Sequence, residues 1–379
     1  MDLDFTPDQE AFRAEAHAWL RAHVPTTPLP SLETADGFAA HRVWEAQLAA
    51  DRWSVVSWPE EYGGRGVDIV RWLVFEEEYY AVGAPGRVGQ NGINLLAPTL
   101  FDHGTREQRA RVLPSMATGE VVWAQAWSEP EAGSDLASLT SRAVRTGGGW
   151  LLSGQKTWSS RAAFADRAFG LFRSEPDTPK PHQGLTYLMF DLRAPGVTVR
   201  PIGRLDGKPA FAELFLDDVF VPDEDVIGEP GQGWRVAMST AGNERGLTLR
   251  SPGRFLAAAD RLLNLWRTQG SSQTMRDQVA DAVIGARAYQ LFTYANASRF
   301  LDGESIGPES SLNKVFWSEY DIALHETALE LHGEEGELAD TDWAEGYVFS
   351  LAGPIYAGTN EIQRDIIAER LLGLPKGRR

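Results

Sequence analysis

The spacing of apolar residues changes twice along this chain, and that double change limits the fold more than any single motif does. Over the first third, apolar side chains recur at helical intervals. A helix is expected to open at Thr6 with Pro7 in its first turn, and Phe12, Ala16 and Trp19 lie on one stripe that Leu20 widens. Through the middle the texture alternates and is cut by turns, in TGGGWLLSGQ, GLTYLMFDL, GVTVRPI and AELFLDDVFVP. After Gly233 helical spacing returns, with Ile284, Ala288, Leu291 and Ala295 on one stripe. The expectation is an α+β multidomain chain: a helical domain over residues 1–120, a β domain over 121–230 and a second helical domain over 231–379.

Composition removes several classes of chemistry. With 379 residues, 43% of them hydrophobic, the chain can bury a large core. The absence of cysteine excludes disulfides, thiolate metal sites and thiol nucleophiles. A formal charge of -17 argues against nucleic acid as a partner, because phosphate neutralisation needs a basic face. There is no apolar run of about eighteen residues, and MDLDFTPDQEAF lacks the basic and apolar regions of a secretory signal. No membrane insertion is expected, and the chain is expected to be cytoplasmic.

Three apparent motifs carry nothing. In GWLLSGQKT, Gly149 to Thr157, Gln155 separates Gly154 from Lys156, so the stretch is not a phosphate loop. His325, Glu326 and His332 do not make a zinc helix: Leu329 interrupts the pattern, and the two histidines would stand roughly 10 Å apart along a helix. They are expected on the surface, and no metal site is expected. No G-x-S-x-G occurs, so a serine hydrolase has no support.

Two segments remain, WAQAWSEPEAGSD (Trp123 to Asp135) and GQKTWSS (Gly154 to Ser160). The second is expected just after a hairpin. Both offer backbone amides, hydroxyls and flat aromatic surface, which suit a planar heterocycle with a hydrogen-bonding edge. A pair of capped turns beside core tryptophans is the alternative at this point.

These segments resemble the flavin-binding motifs of the acyl-CoA dehydrogenase family. The resemblance extends in order and spacing through WPEEYGGRG (Trp58 to Gly66), NLLAPTLFDHGTREQRARVLPSMATGE (Asn94 to Glu120), FAELFLDDVFVPDEDVIGEPGQGW (Phe211 to Trp234) and IYAGTNEIQRDIIAERLLGLP (Ile355 to Pro375). It implies an N-terminal helical domain, a middle β-barrel-like domain and a C-terminal four-helix bundle. It implies FAD as cofactor, removal of the α-proton of an acyl thioester by a carboxylate, and transfer of the β-hydride to flavin N5. Electrons would pass to an electron-transfer flavoprotein. The flavin contacts would fall on Gln125, Trp127, Ser128, Gly133, Ser134, Trp158, Ser160 and Thr359, with Ser134, Arg245, Ala357 and Gly358 near the substrate.

Alanine at 357 stands where many family members have the glutamate that acts as base. Other branches place that glutamate on a bundle helix, and in TAGNERGLTLR the matching residue is Glu244, followed by Arg245. Its neighbours Ala241, Gly242 and Gly246 are small, as admitting a ligand requires. Glu244 is therefore expected to be the catalytic base, and Ala357 to contribute through its backbone amide.

Two family motifs are altered. The R-x-x-F-G that holds the FAD of a neighbouring subunit reads LWRTQGSSQTMRDQ here, with Arg267 and Arg276 as substitutes. The Gly-Gly-x-Gly loop reads LHGEEG, with Glu334 and Glu335. A homodimer, a homotetramer and a heterotetramer sharing its flavin sites all fit, and an acyl carrier protein can replace CoA as the thioester. The alternatives to a dehydrogenase are a non-catalytic or half-site subunit of a heteromeric enzyme, and a related flavin oxidase or monooxygenase.

Overall fold

The computed structural model describes residues 4–245, 251–271, 273–304, 307–338 and 341–377, and for 243–245 the backbone alone. Helices α1 (Pro7–His23), α2 (Ala35–Ala50), α3 (Ile69–Ala81), α4 (Ala97–His103) and α5 (Arg106–Ala117) come first. Strands β1 (Trp123–Ala126), β2 (Arg142–Thr146), β3 (Gly149–Ser160), β4 (Arg167–Arg173), β5 (Leu185–Asp191), β6 (Val197–Ile202), β7 (Phe211–Pro222) and β8 (Val226–Ile227) follow. Helices α6 (Gly233–Arg245), α7 (Pro252–Thr268), α8 (Arg276–Leu301), α9 (Ser310–His332), α10 (Asp342–Ser350) and α11 (Asn360–Ile366) close the chain.

Local chemistry sets the helix starts. Thr6 caps α1 in a reciprocal box with Gln9, and Pro7 occupies the first turn, where its missing N–H costs nothing. The buried stripe of α1 is Phe12, Ala16 and Leu20, while Trp19 lies at its flank, stacked on His23. Thr105 and Gln108 form the same box on α5.

The strands form one eight-stranded sheet in the order β6-β7-β3-β2-β4-β5-β8, with β1 parallel to β4. β4 and β5 are buried on both faces, so their sequences are nearly continuous apolar runs. On one face Phe169, Leu171, Leu185, Tyr187 and Met189 pack with Leu113 and Met116 of α5 and Val236 of α6. On the other, Phe172, Leu188 and Phe190 pack with Leu152 of β3 and Leu214, Val219 and Val221 of β7. The sheet thus curls over a core made by its own strands, which is the barrel-like feature of the β domain.

Contacts group the chain into two compact units, one comprising Met1–Thr26, Val67–Ala84 and Arg245–Arg379, the other Thr27–Gly66 and Pro85–Glu244. In the first, Phe255, Leu262, Ala282, Tyr289, Trp317 and Leu324 knit α7, α8 and α9 together. The stripe of Ile284, Ala288, Leu291 and Ala295 turns outward, with Ile284 64% exposed. The buried face of α8 carries Val279, Ala282, Ala286, Tyr289 and Thr293 instead. His325 is also the reverse of what was expected. It is buried, bonded through Nδ1 to the Asp321 carbonyl at 2.7 Å and packed edge-on against Trp343, because α10 covers that part of α9. No helix among the described residues is long and apolar enough to cross a membrane.

Candidate active site

The second motif lies within β3, not after it. Lys156 and Thr157 are buried in succession on this strand, and the register with β7, already shifted between Leu152 and Gly154, slips again between Lys156 and Ser159. A bulge inserts a residue there and turns the next side chain outward. That side chain is Trp158, 59% exposed, edge-on to Phe211, and held at φ +58°. A left-handed conformation costs an L-residue of this size about 1–2 kcal/mol, and such strain persists where the surrounding structure holds it. Here the pairing of β3 with β7 on either side supplies that hold. Ser159 follows with a buried hydroxyl that lacks a partner, and Ser160 accepts from Asn91 Nδ2 at 3.4 Å through its carbonyl.

The first motif is fastened to the second from below. Thr157 N–H donates to the Ser128 carbonyl at 2.8 Å. Lys156, fully buried, reaches back with its ammonium to Glu129 Oε1 at 2.8 Å, to the Leu171 carbonyl at 2.8 Å and to the Trp127 carbonyl at 3.3 Å. Glu129 also accepts from Thr140 N, Thr140 Oγ1 and Ser141 N. Burial by itself raises the Glu129 carboxyl, but the Lys156 charge and these hydrogen bonds outweigh it and hold the group down at about 2. Burial pushes Lys156 down, against the pull of Glu129, to about 8. The pair is therefore charged on both sides at neutral pH.

The predicted residues Gln125, Trp127, Ser128, Gly133, Ser134, Trp158 and Ser160 all belong to the same compact unit. Gln125 Nε2 is shielded from solvent without a hydrogen-bond partner. Gly133 has nothing within 4 Å of the position a Cβ would take, and Gly133 and Ser134 are exposed. An unpaired amide donor, an open glycine turn and an outward indole fit a planar heterocycle with a hydrogen-bonding edge and an anionic tail. The Trp127 N–H is already committed, donating to Tyr187 Oη at 3.1 Å.

The C-terminal motif forms a strained turn in the other unit. Ala357 has φ +56° and Gly358 φ +79°, and Gln363 Nε2 donates to both of their carbonyls at 3.2 Å. Thr359 caps α11, accepting from Ile362 N, so its hydroxyl serves the helix. A second buried lysine underlies this turn: Lys314 Nζ donates to the Gly353 carbonyl at 2.8 Å and to Asn360 Oδ1 at 2.9 Å. Glu334 and Glu335 of the LHGEEG segment are exposed in a short turn.

Glu244 and Arg245 stand in the last turn of α6, and their side chains lie outside the described residues, as does Gly246. Ala241 is buried, while nothing lies within 4 Å of where a Cβ on Gly242 would be, so the helix has an open side two residues before Glu244.

The domain models of one family match this chain throughout: the acyl-CoA dehydrogenase N-terminal domain over residues 6–120, the middle domain over 124–219 and the C-terminal domain over 231–372. The chain belongs to the acyl-CoA dehydrogenase family. The family's fold, helical, then sheet, then helical, is the order found here, and its members are FAD-binding oxidoreductases. Acyl-CoA dehydrogenase IpdE1 of Mycolicibacterium smegmatis is 36% identical over 391 residues, covering 97% of this chain and 98% of the relative. Among solved structures, the Tcur3481-Tcur3483 steroid ACAD superposes with a TM-score of 0.89 at 28% identity, covering both chains in full. The ChsE4-ChsE5 complex from Mycobacterium tuberculosis gives 0.87 at 28%, also with full coverage of both chains.

Reading the sequence alone missed Glu129, Lys156, Ser159 and Lys314. A usable signal was present for the lysines. There are five in the whole chain, and two of them sit inside elements rather than in loops.

Proposed function

We propose that this chain catalyses FAD-dependent α,β-dehydrogenation of an acyl thioester, with Glu244 as the base. What carries the reading is the residue at 357. The C-terminal turn presents an alanine in a left-handed conformation, which offers backbone groups and no acid, so a carboxylate must come from elsewhere. Glu244, in the last turn of α6, is the acid that the family resemblance points to.

In this reading Ser128, Gln125 and Ser160 supply hydrogen bonds to the ring system, Trp158 stacks on it, and Gly133 and Ser134 admit the phosphates. FAD, when bound, accepts the hydride that leaves the β-carbon. Glu244 takes the α-proton as the α C–H bond breaks, and a backbone amide at the 357–358 turn polarises the thioester carbonyl, which acidifies that proton. Arg245 orients the carboxylate and the substrate. Electrons leave to an electron-transfer flavoprotein.

A base at 244 leaves small residues at 357 and 358, which suits a bulky acyl group. The steroid ACAD among the structural relatives supports a large, ring-bearing acyl thioester as substrate. The outward apolar stripe of α8, the altered LWRTQGSSQTMRDQ segment and the paired names of the two relatives support an assembly of two unlike chains. The test is anaerobic titration of the purified protein with a panel of acyl thioesters, straight-chain, branched and steroid-bearing. Loss of the oxidised-flavin band, with a product lighter by two hydrogens, is expected for the bulky members. In a parallel aerobic assay, oxygen consumption at the turnover rate would make the chain an oxidase or monooxygenase instead, and absence of flavin from protein expressed alone would mark a half-site.

A further inference from the structure

Three hydroxyls are completely buried between α4, β5 and α6. Tyr187, Thr240 and Thr99 each show no exposed surface. Trp127 Nε1–H donates to Tyr187 Oη at 3.1 Å, and Tyr187 Oη lies 3.3 Å from Thr240 Oγ1. Thr240 Oγ1 in turn lies 2.7 Å from Thr99 Oγ1 and 3.1 Å from the Val236 carbonyl, and Thr99 donates to the Leu95 carbonyl at 2.7 Å. Because Trp127 can only donate and Thr99 donates to Leu95, the Tyr187 proton is directed towards Thr240 and the Thr240 proton towards Thr99, with the Val236 carbonyl a longer, competing acceptor. Every hydroxyl is satisfied, and the chain has a fixed sense.

Phenylalanine and valine would fill the same space without needing any partner, so packing alone does not call for this set. A satisfied polar network in a core selects one arrangement of the elements that carry it. The elements it joins are informative. Trp127 adjoins Ser128 in the first motif, and Thr240 lies one helical turn before Glu244 on α6. Beside it, Ser239 Oγ donates to Asp102 Oδ2 at 2.7 Å, so two successive residues of α6 are pinned to α4.

We infer that Tyr187 and Thr240 are positioning residues: their hydroxyl chain sets the register of α6, and with it Glu244, against the strand motif at Trp127 and Ser128. The inference rests on the function proposed above for its kinetic consequence, and on the fold alone for its mechanical one.

Tyr187→Phe, Thr240→Val and Thr240→Ser separate the two. Deuterium uptake in peptides covering residues 233–245 is measured against peptides from β4, together with the rate of flavin bleaching by a substrate thioester. Faster exchange confined to α6 is expected in Tyr187→Phe and Thr240→Val, with bleaching slowed about tenfold at saturation and the half-saturating concentration little changed. Thr240→Ser, which restores the hydroxyl, should return both to wild type. Unchanged α6 exchange and bleaching within about twofold of wild type would overturn the inference, even if the melting temperature fell, and so would a Thr240→Ser that behaves like Thr240→Val. If none of the thioesters bleaches the wild type, the functional reading fails by itself, and the exchange comparison still decides whether these hydroxyls hold α6.

Discussion

Lys156 and Glu129 form a buried ion pair, 2.8 Å from Nζ to Oε1, that joins two segments 27 residues apart in sequence. One partner lies just before Trp158, the other just after Ser128, so the pair fixes the spacing of the two residues read as flavin contacts. Removing either partner leaves a charge in the core without its counterion. Lys156→Met is expected to cost about 3–5 kcal/mol in urea unfolding and to yield protein without the yellow cofactor. The Glu129→Gln/Lys156→Met double variant should lose less than the sum of the single changes, since neither charge is then stranded.

The same pair makes a pH prediction. Glu129 sits at about 2 in the folded chain against 4.5 in its ordinary state. A carboxyl depressed by folding stabilises fully above its unfolded value, and that contribution fades as the pH falls towards the folded value. Thermal melts should therefore drop between about pH 4.5 and about pH 2, and the drop should be shallower in the double variant.

Trp158 pays for its conformation in backbone strain. Trp158→Gly should leave the stability of FAD-free protein within about 1 kcal/mol of wild type, because the strain relieved at φ +58° offsets the loss of a part-buried ring. The same change should weaken FAD binding by about tenfold or more, read by fluorescence titration. Stability held while cofactor affinity falls is the signature of strain kept for a ligand.

Lys314→Met should loosen the C-terminal turn. The Gly353 carbonyl and Asn360 Oδ1 lose their shared donor, at a cost of about 1–3 kcal/mol, and amide exchange should rise around residues 353–360 rather than across α9.

How much of this was legible depended on the range of the interaction. The start of α1 was readable because Thr6, Pro7 and Gln9 settle it within one turn. β4 and β5 were readable because burial on both faces writes an unbroken apolar run. The orientation of the α8 stripe was not, since a helix with apolar residues on more than one side does not say which side meets its neighbours. Nor was the bulge at Lys156 and Thr157, which depends on the register of β7 more than fifty residues later. The positions of the motifs came from resemblance, and the contacts beneath them, Glu129 to Lys156 and Tyr187 to Thr240, join residues that no local pattern relates.

The assignment of Glu244 is the centre of the account, and one comparison addresses it directly: anaerobic bleaching of the flavin band by a substrate thioester in wild type and in flavin-replete Glu244→Gln. The account predicts rapid bleaching in wild type and a rate lower by about 10²-fold or more in the variant, whose visible spectrum before mixing is unchanged. Bleaching in flavin-replete Glu244→Gln at close to the wild-type rate would contradict it and place the base on another residue.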